Sequence, residues 1–123
     1  MPKFITVENK NRISATLPRV KYCDTFATQL RGFTFRSRID LNEGLILVGA
    51  RDSRLDSSIH MLFVSFDLAV FWINSDMQVV DKVISKSWRP AYFAKQPAKY
   101  VLELHPERWD NYEIGDTVQF KDA

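Results

Sequence analysis

The chain has 123 residues, 46% hydrophobic and 26% charged, with 17 basic and 15 acidic side chains for a net charge of +2. That length and apolar share suit one globular domain with a real core and exclude an intrinsically disordered chain. Charge this balanced gives no electrostatic footprint for nucleic acid or for an anionic membrane surface.

In chain order, Met1-Pro2-Lys3-Phe4 leads directly into alternating sequence, with no apolar stretch of the signal-peptide kind. The expected location is therefore the cytoplasm. Residues 4–7 and 13–20 read as short strands joined by the polar turn Glu8-Asn9-Lys10-Asn11. The single Cys23 allows no internal disulfide and no cysteine metal cluster, which suits a reducing compartment. Residues 24–32 read as a two-turn helix. Asp24 can accept from the first free amides, and Gly32 can take positive φ at the end. Phe26, Leu30 and Phe33 fall at i, i+4 and i+7 and share one side. A helix this short does not persist alone, so that side is expected to dock on a sheet. Residues 44–48 read as a strand and 49–57 as a polar loop.

The longest apolar run is 58–73, SIHMLFVSFDLAVFWI, in which only His60, Ser65 and Asp67 are polar after Ser58. It falls short of the roughly 20 apolar residues of a membrane helix. Its Val, Ile, Phe and Trp lose χ1 freedom in a helix and pack well on a pleated surface. It is expected to form two strands, 59–64 and 68–73, apolar on both faces and central in a sheet or barrel wall. Residues 77–84, 100–104 and 117–120 read as further strands. Residues 105–111 form a polar connection with one helical turn, and Gly115-Asp116 a turn. About eight strands and one short helix make a mainly β (α+β) single domain, expected as a small β-barrel or two-sheet sandwich.

Charge separates late in the chain. Residues 82–99 carry five basic side chains and no acid, interleaved with Trp88, Tyr92 and Phe93, whereas 103–116 carry five acids and one arginine.

The order of motifs resembles the family of domain of unknown function 192. Arg31-Gly32-Phe33-Thr34-Phe35-Arg36 is similar to its R-G-L-M-x-R signature, and Glu43-Gly44-Leu45-Ile46-Leu47 to the strand before the centre. Ser58-Ile59-His60-Met61-Leu62-Phe63-Val64 resembles its S-I-H-T-F-F-M strand, and Val70-Phe71-Trp72-Ile73 its second apolar strand. Tyr100-Val101-Leu102-Glu103-Leu104 and Ile114-Gly115-Asp116-Thr117-Val118 resemble its V-L-E-L and I-x-x-G-D-x-V endings. The resemblance covers residues 24–120. Phe66-Asp67-Leu68-Ala69 stands where the family shows F-P-I-D, so Asp67 replaces the proline and Ala69 the acid. The resemblance implies a β-rich domain with a short helix and brings no assigned activity.

Four residues form the candidate site: Arg31, Arg36, His60 and Asp67. A guanidinium offers a rigid donor fork for a carboxylate, phosphate or sugar hydroxyl. The structural alternative closes the helix end with the arginines and pairs them with Asp67 or Glu103. His60 can serve as acid, base or ligand, but its apolar neighbours favour a hydrogen-bonded structural histidine. No His-x-His, Cys-x-x-Cys, nucleophile elbow, phosphate-binding loop or dinucleotide fingerprint occurs, so neither a metal nor a cofactor is expected. The segment 82–99 could stack bases on aromatics, but the near-neutral chain favours an irregular edge segment whose lysines discourage strand addition. The expected function is a non-enzymatic binding module for a small polar or anionic ligand. The alternatives are a hydrolase-type enzyme using His60 and an acid, and a protein or nucleic-acid module acting through residues 82–100.

Overall fold

Leu68–Ile73 is a strand with all six side chains buried, as its unbroken run of bulky and β-branched residues favours. The computed structural model describes residues 3–24, 38–59, 64–87 and 91–123. These residues contain seven strands: β1 (Lys3–Asn9), β2 (Leu17–Cys23), β3 (Gly44–Ser53), β4 (Leu68–Ile73), β5 (Val79–Ser85), β6 (Ala98–Leu104) and β7 (Val118–Asp122). Short 3-10 turns lie at Ile13–Ala15 and Pro106–Asn111. The strands form one sheet in the order β5-β4-β6-β3-β2-β1-β7.

The mainly β expectation holds, with one curled sheet in place of a closed barrel or a sandwich. Its edges meet at a single corner. Val118 N donates to Met77 O at 2.8 Å and Val79 N to Asp116 O at 2.9 Å. Between β5 and β7 only the isolated bridge Gln78–Thr117 forms among the described residues, so no ladder closes the sheet. The expected helix at 24–32 lies outside the described residues apart from Asp24, as does most of the expected strand 59–64. Both edges of β4 are taken, by β5 and by β6, and Ile59 bridges to Tyr92.

Other boundaries shift for local reasons. Residues 13–15 form a 3-10 turn rather than a strand, closed by Thr16 Oγ1 donating to Ile13 O at 2.7 Å. β3 continues to Ser53, through residues expected as loop, because Ser53 pairs with Ala98 beyond a bulge. β5 begins at Val79 because Met77 takes φ 65° in a turn held by Asn74 Oδ1, which accepts from Asp76 N and Gln78 N at 3.0 Å. Gly115 takes φ +99°, a region that favours glycine, in the turn before β7.

β2 and β3 are parallel. A parallel pair cannot be joined by a tight hairpin, so the chain from Cys23 to Gly44 must cross over. Cys23 and Ile39, near the two ends of that crossover, both pack into the cluster on the outer face, with Leu45, Ile59, Val64, Leu68, Val70, Trp72 and Val101. The inner face carries Ile5, Val7, Leu17, Val20, Ile46, Phe71, Ile73, Leu102, Leu104 and Tyr112. Trp109 and Tyr112, from the 3-10 turn and its exit, close over Phe71 with ring centroids at 6.3 and 4.9 Å. Lys82 anchors the same lid: its Nζ lies 2.9 Å from both Glu113 carboxylate oxygens and 4.0 Å from the Trp109 ring centroid.

Asn9 is fully buried at the end of β1. Its Nδ2 donates to Asn111 O and Asp116 Oδ2, each at 2.8 Å, and its Oδ1 accepts from Asn11 N at 3.0 Å. It therefore staples β1 to the lid and to the turn before β7. Asn9→Ala would strip partners from buried polar groups and is expected to cost about 1–3 kcal/mol in urea unfolding. A loss within about 0.5 kcal/mol, the ordinary surface range, would contradict that role.

Candidate functional site

Of the four residues singled out in the sequence, Asp67 can be placed; Arg31, Arg36 and His60 lie outside the described residues. Asp67 sits immediately before β4, at an end of that strand as expected. Its Oδ1 accepts from Ser87 N at 2.9 Å, and Lys86 Nζ stands 3.4 Å from its Oδ2. Among the described residues, then, its partners come from the segment after β5. This arrangement ties the start of β4 to the end of β5.

The other titratable candidates are also committed. His105 Nδ1 accepts from Glu107 N at 3.1 Å and caps the second 3-10 turn. The buried Asp81 carboxylate accepts from Lys82 N at 2.8 Å and Lys95 N at 2.9 Å, which pins the segment after residue 90 to β5. Cys23 is buried. Burial pushes its thiol up to about 11; Lys21 opposes the rise, while Glu103 and Asp24 add to it. At neutral pH it is a thiol, and the thiolate is the nucleophile. Two cations of the basic segment face carboxylates, Lys82 with Glu113 and Lys86 with Asp67.

Glu103 is different. It is the penultimate residue of β6, between Leu45 of β3 and Val70 of β4. Side chains alternate along a strand, so Glu103 shares the outer face with Val101, whereas Leu102 and Leu104 point into the inner core. It is only 7% exposed. Among the described residues nothing donates to its carboxyl and no cation pairs with it. Among the described residues the sealed and unpartnered side-chain polar atoms are Asn111 Nδ2 and Tyr112 Oη. Burial alone raises its pKa to about 7, because an apolar surround disfavours the charged form. Near neutrality such a group can donate or accept a hydrogen bond. It stands roughly 10 Å from Asp67, three residues along the neighbouring strand.

Sequence reasoning had cast Glu103 only as a counter-ion for an arginine. The available signal was its position, one acid in the otherwise apolar strand 100–104. Among the described residues no group of three or more His, Cys, Asp or Glu side chains could hold a metal ion. Among the same residues no helix is long and apolar enough to cross a membrane.

Residues on either side of two motif segments lie on this face. Ile59 and Val64, which flank residues 60–63, join its cluster, as do Cys23 and Ile39, which bracket residues 25–37. The DUF192 family model, described as an uncharacterized ACR family, matches residues 5–120. The chain belongs to the DUF192 family. A UPF0127 protein of Thermococcus kodakarensis is 35% identical over 77% of this chain and 59% of its own length. A second, from Thermococcus sibiricus, is 33% identical over 92% of this chain and 73% of its own length. This chain thus spans under two thirds of the first of these relatives. Two crystal structures share the fold seen here. One, a protein of unknown function from Novosphingobium aromaticivorans, has a TM-score of 0.78 at 19% identity, over 96% of this chain and 84% of the other. The second, a proposed transcription regulator from Sinorhizobium meliloti, has a TM-score of 0.79 at 16% identity, over 98% of this chain and 94% of the other.

Proposed function

We propose that this domain is a non-enzymatic binding module for a small polar ligand, held on the outer sheet face that carries Glu103. The observation behind this reading is the buried carboxyl without a partner among the described residues. Leaving a charge-bearing group desolvated and unpaired is costly, and proteins keep such groups chiefly where function uses them. Its neighbours Val70, Leu45 and Val101 are apolar and buried. A binding role fits better than catalysis because His105, Asp67 and Asp81 are engaged in structural hydrogen bonds and Cys23 is held as a thiol. Arg31, Arg36 and His60 are proposed as further contacts on sequence grounds alone.

The test is a nitrogen-15 NMR screen with sugars, amines, carboxylates and inorganic phosphate. Saturable shifts should concentrate at the backbone amides of Leu45, Val70 and Glu103. Shifts that never saturate, or that scatter over surfaces remote from this face, would refute the reading.

A further inference from the structure

We propose that the inner face carries a separate site, at the margin away from the lid, for a small aromatic anion: a flat ring bearing a phosphate or a carboxylate. Register places the pieces. One row across the inner face runs Lys3 of β1, Tyr22 of β2, Ile46 of β3, Leu102 of β6, Phe71 of β4 and Lys82 of β5. The lid rests on the Phe71 and Lys82 end of this row. Lys3 and Tyr22 stand at the other end. Tyr100 belongs to the next inward-facing row, opposite Val48 and Ile73. Phe120 lies on β7, with β3, β2 and β1 between its strand and that of Tyr100. The sheet curls enough for these two rings to meet edge to face, with centroids 5.1 Å apart. Tyr22, Tyr100 and Phe120 all pack on the inner core, yet each keeps part of its surface exposed. Phe120 stands on an edge strand, two residues past the tie from Val118 to Met77, so this aromatic wall borders the open seam of the sheet.

Charge complementarity selects the ligand. Lys3 Nζ stands 4.4 Å from the Tyr22 ring centroid, and Lys99 Nζ 5.4 Å from that of Tyr100. Both distances fall within the roughly 6 Å reach of a cation–π contact. Asp24 and Asp122, two residues beyond Tyr22 and Phe120, are exposed. Among the described residues neither forms an ion pair with Lys3 or Lys99. The charges held over the rings are therefore ammonium groups. An anionic group meets two donors of opposite charge there, and a flat ring meets aromatic surface to stack on. A cationic ring would compete with both lysines for the same ring faces. This wall lies on the opposite face of the sheet from Glu103, so the inference stands apart from the binding reading above.

Phenyl phosphate, phenylacetate, inorganic phosphate and benzylamine separate the contributions of ring and charge. In nitrogen-15 titrations at least one of the two aromatic anions should give saturable shifts at the amides of Tyr22, Tyr100 and Phe120. Its affinity should exceed those of inorganic phosphate and benzylamine by about tenfold or more, the scale of one charge-assisted contact. The stronger of phenyl phosphate and phenylacetate names the anionic group. The double variant Lys3→Gln, Lys99→Gln should lose about tenfold or more of that affinity, with the rest of its amide spectrum unchanged. Inorganic phosphate or benzylamine binding as tightly as the aromatic anions would overturn the inference. So would anion binding untouched by the double variant, or no saturable shift at these amides with either aromatic anion. The amides read here differ from those of Leu45, Val70 and Glu103, so either reading can fail while the other stands.

Discussion

Phe71→Ala is expected to cost about 3–5 kcal/mol, the range for truncating a fully buried aromatic. Phe71 has no exposed surface and sits in the middle of β4, with Leu102 and Lys82 as its strand neighbours. Its ring also supports the lid, since Tyr112 and Trp109 rest on it. The cavity left by Ala would lie between a sheet fixed on both sides and a short 3-10 turn tied down by Lys82 and Asn9. Neither wall can collapse far, so the loss should fall toward the upper end. Urea unfolding with an unchanged slope would report it directly. A loss below about 1 kcal/mol would mean that the apolar run is not the core.

How much of this fold could be read from sequence depended on how local its causes were. β4 runs from Leu68 to Ile73, the bounds its apolar run implies. The turns at Asn74 and Gly115 follow from side chains within a few residues of each. The parallel β2–β3 pair is a different matter, because it depends on a crossover whose ends meet only in three dimensions. The extension of β3 to Ser53 was hidden for a related reason. A bulge lets polar residues such as Arg51 and Asp52 pass through the strand, so the pattern imitates a loop. The candidate site shows the same division. Asp67 was correctly placed at the end of a strand, but Lys86 and Ser87, which hold it, come from a segment nearly twenty residues later. Glu103 was visible as a lone acid beside apolar neighbours. In a two-stranded context, an alternating polar residue reads as solvent-facing. β6 instead lies between β3 and β4, and its outer face is covered. Only that burial turns the Glu103 carboxyl into a candidate contact.

Glu103→Gln is expected to stabilise the protein above neutral pH, and the size of the gain should depend on pH. Folded, Glu103 holds its proton up to about 7, against an ordinary value of 4.5. Between those values the folded state binds more protons than the unfolded chain, so raising the pH lowers stability. The penalty is absent below about pH 4.5, grows through the window and is complete above about pH 7. At about 1.4 kcal/mol per pH unit, the whole window amounts to roughly 3 kcal/mol. Gln fills nearly the same volume and cannot ionise, so it removes the slope while leaving the packing of Val70 and Leu45 in place. Urea unfolding of both proteins at about pH 4.5 and pH 8 isolates this term, because every other titrating group contributes to both. The difference between variant and parent should open by about 2–3 kcal/mol in favour of Gln at the higher pH. Parallel pH profiles would show that Glu103 is solvated or paired in the folded protein.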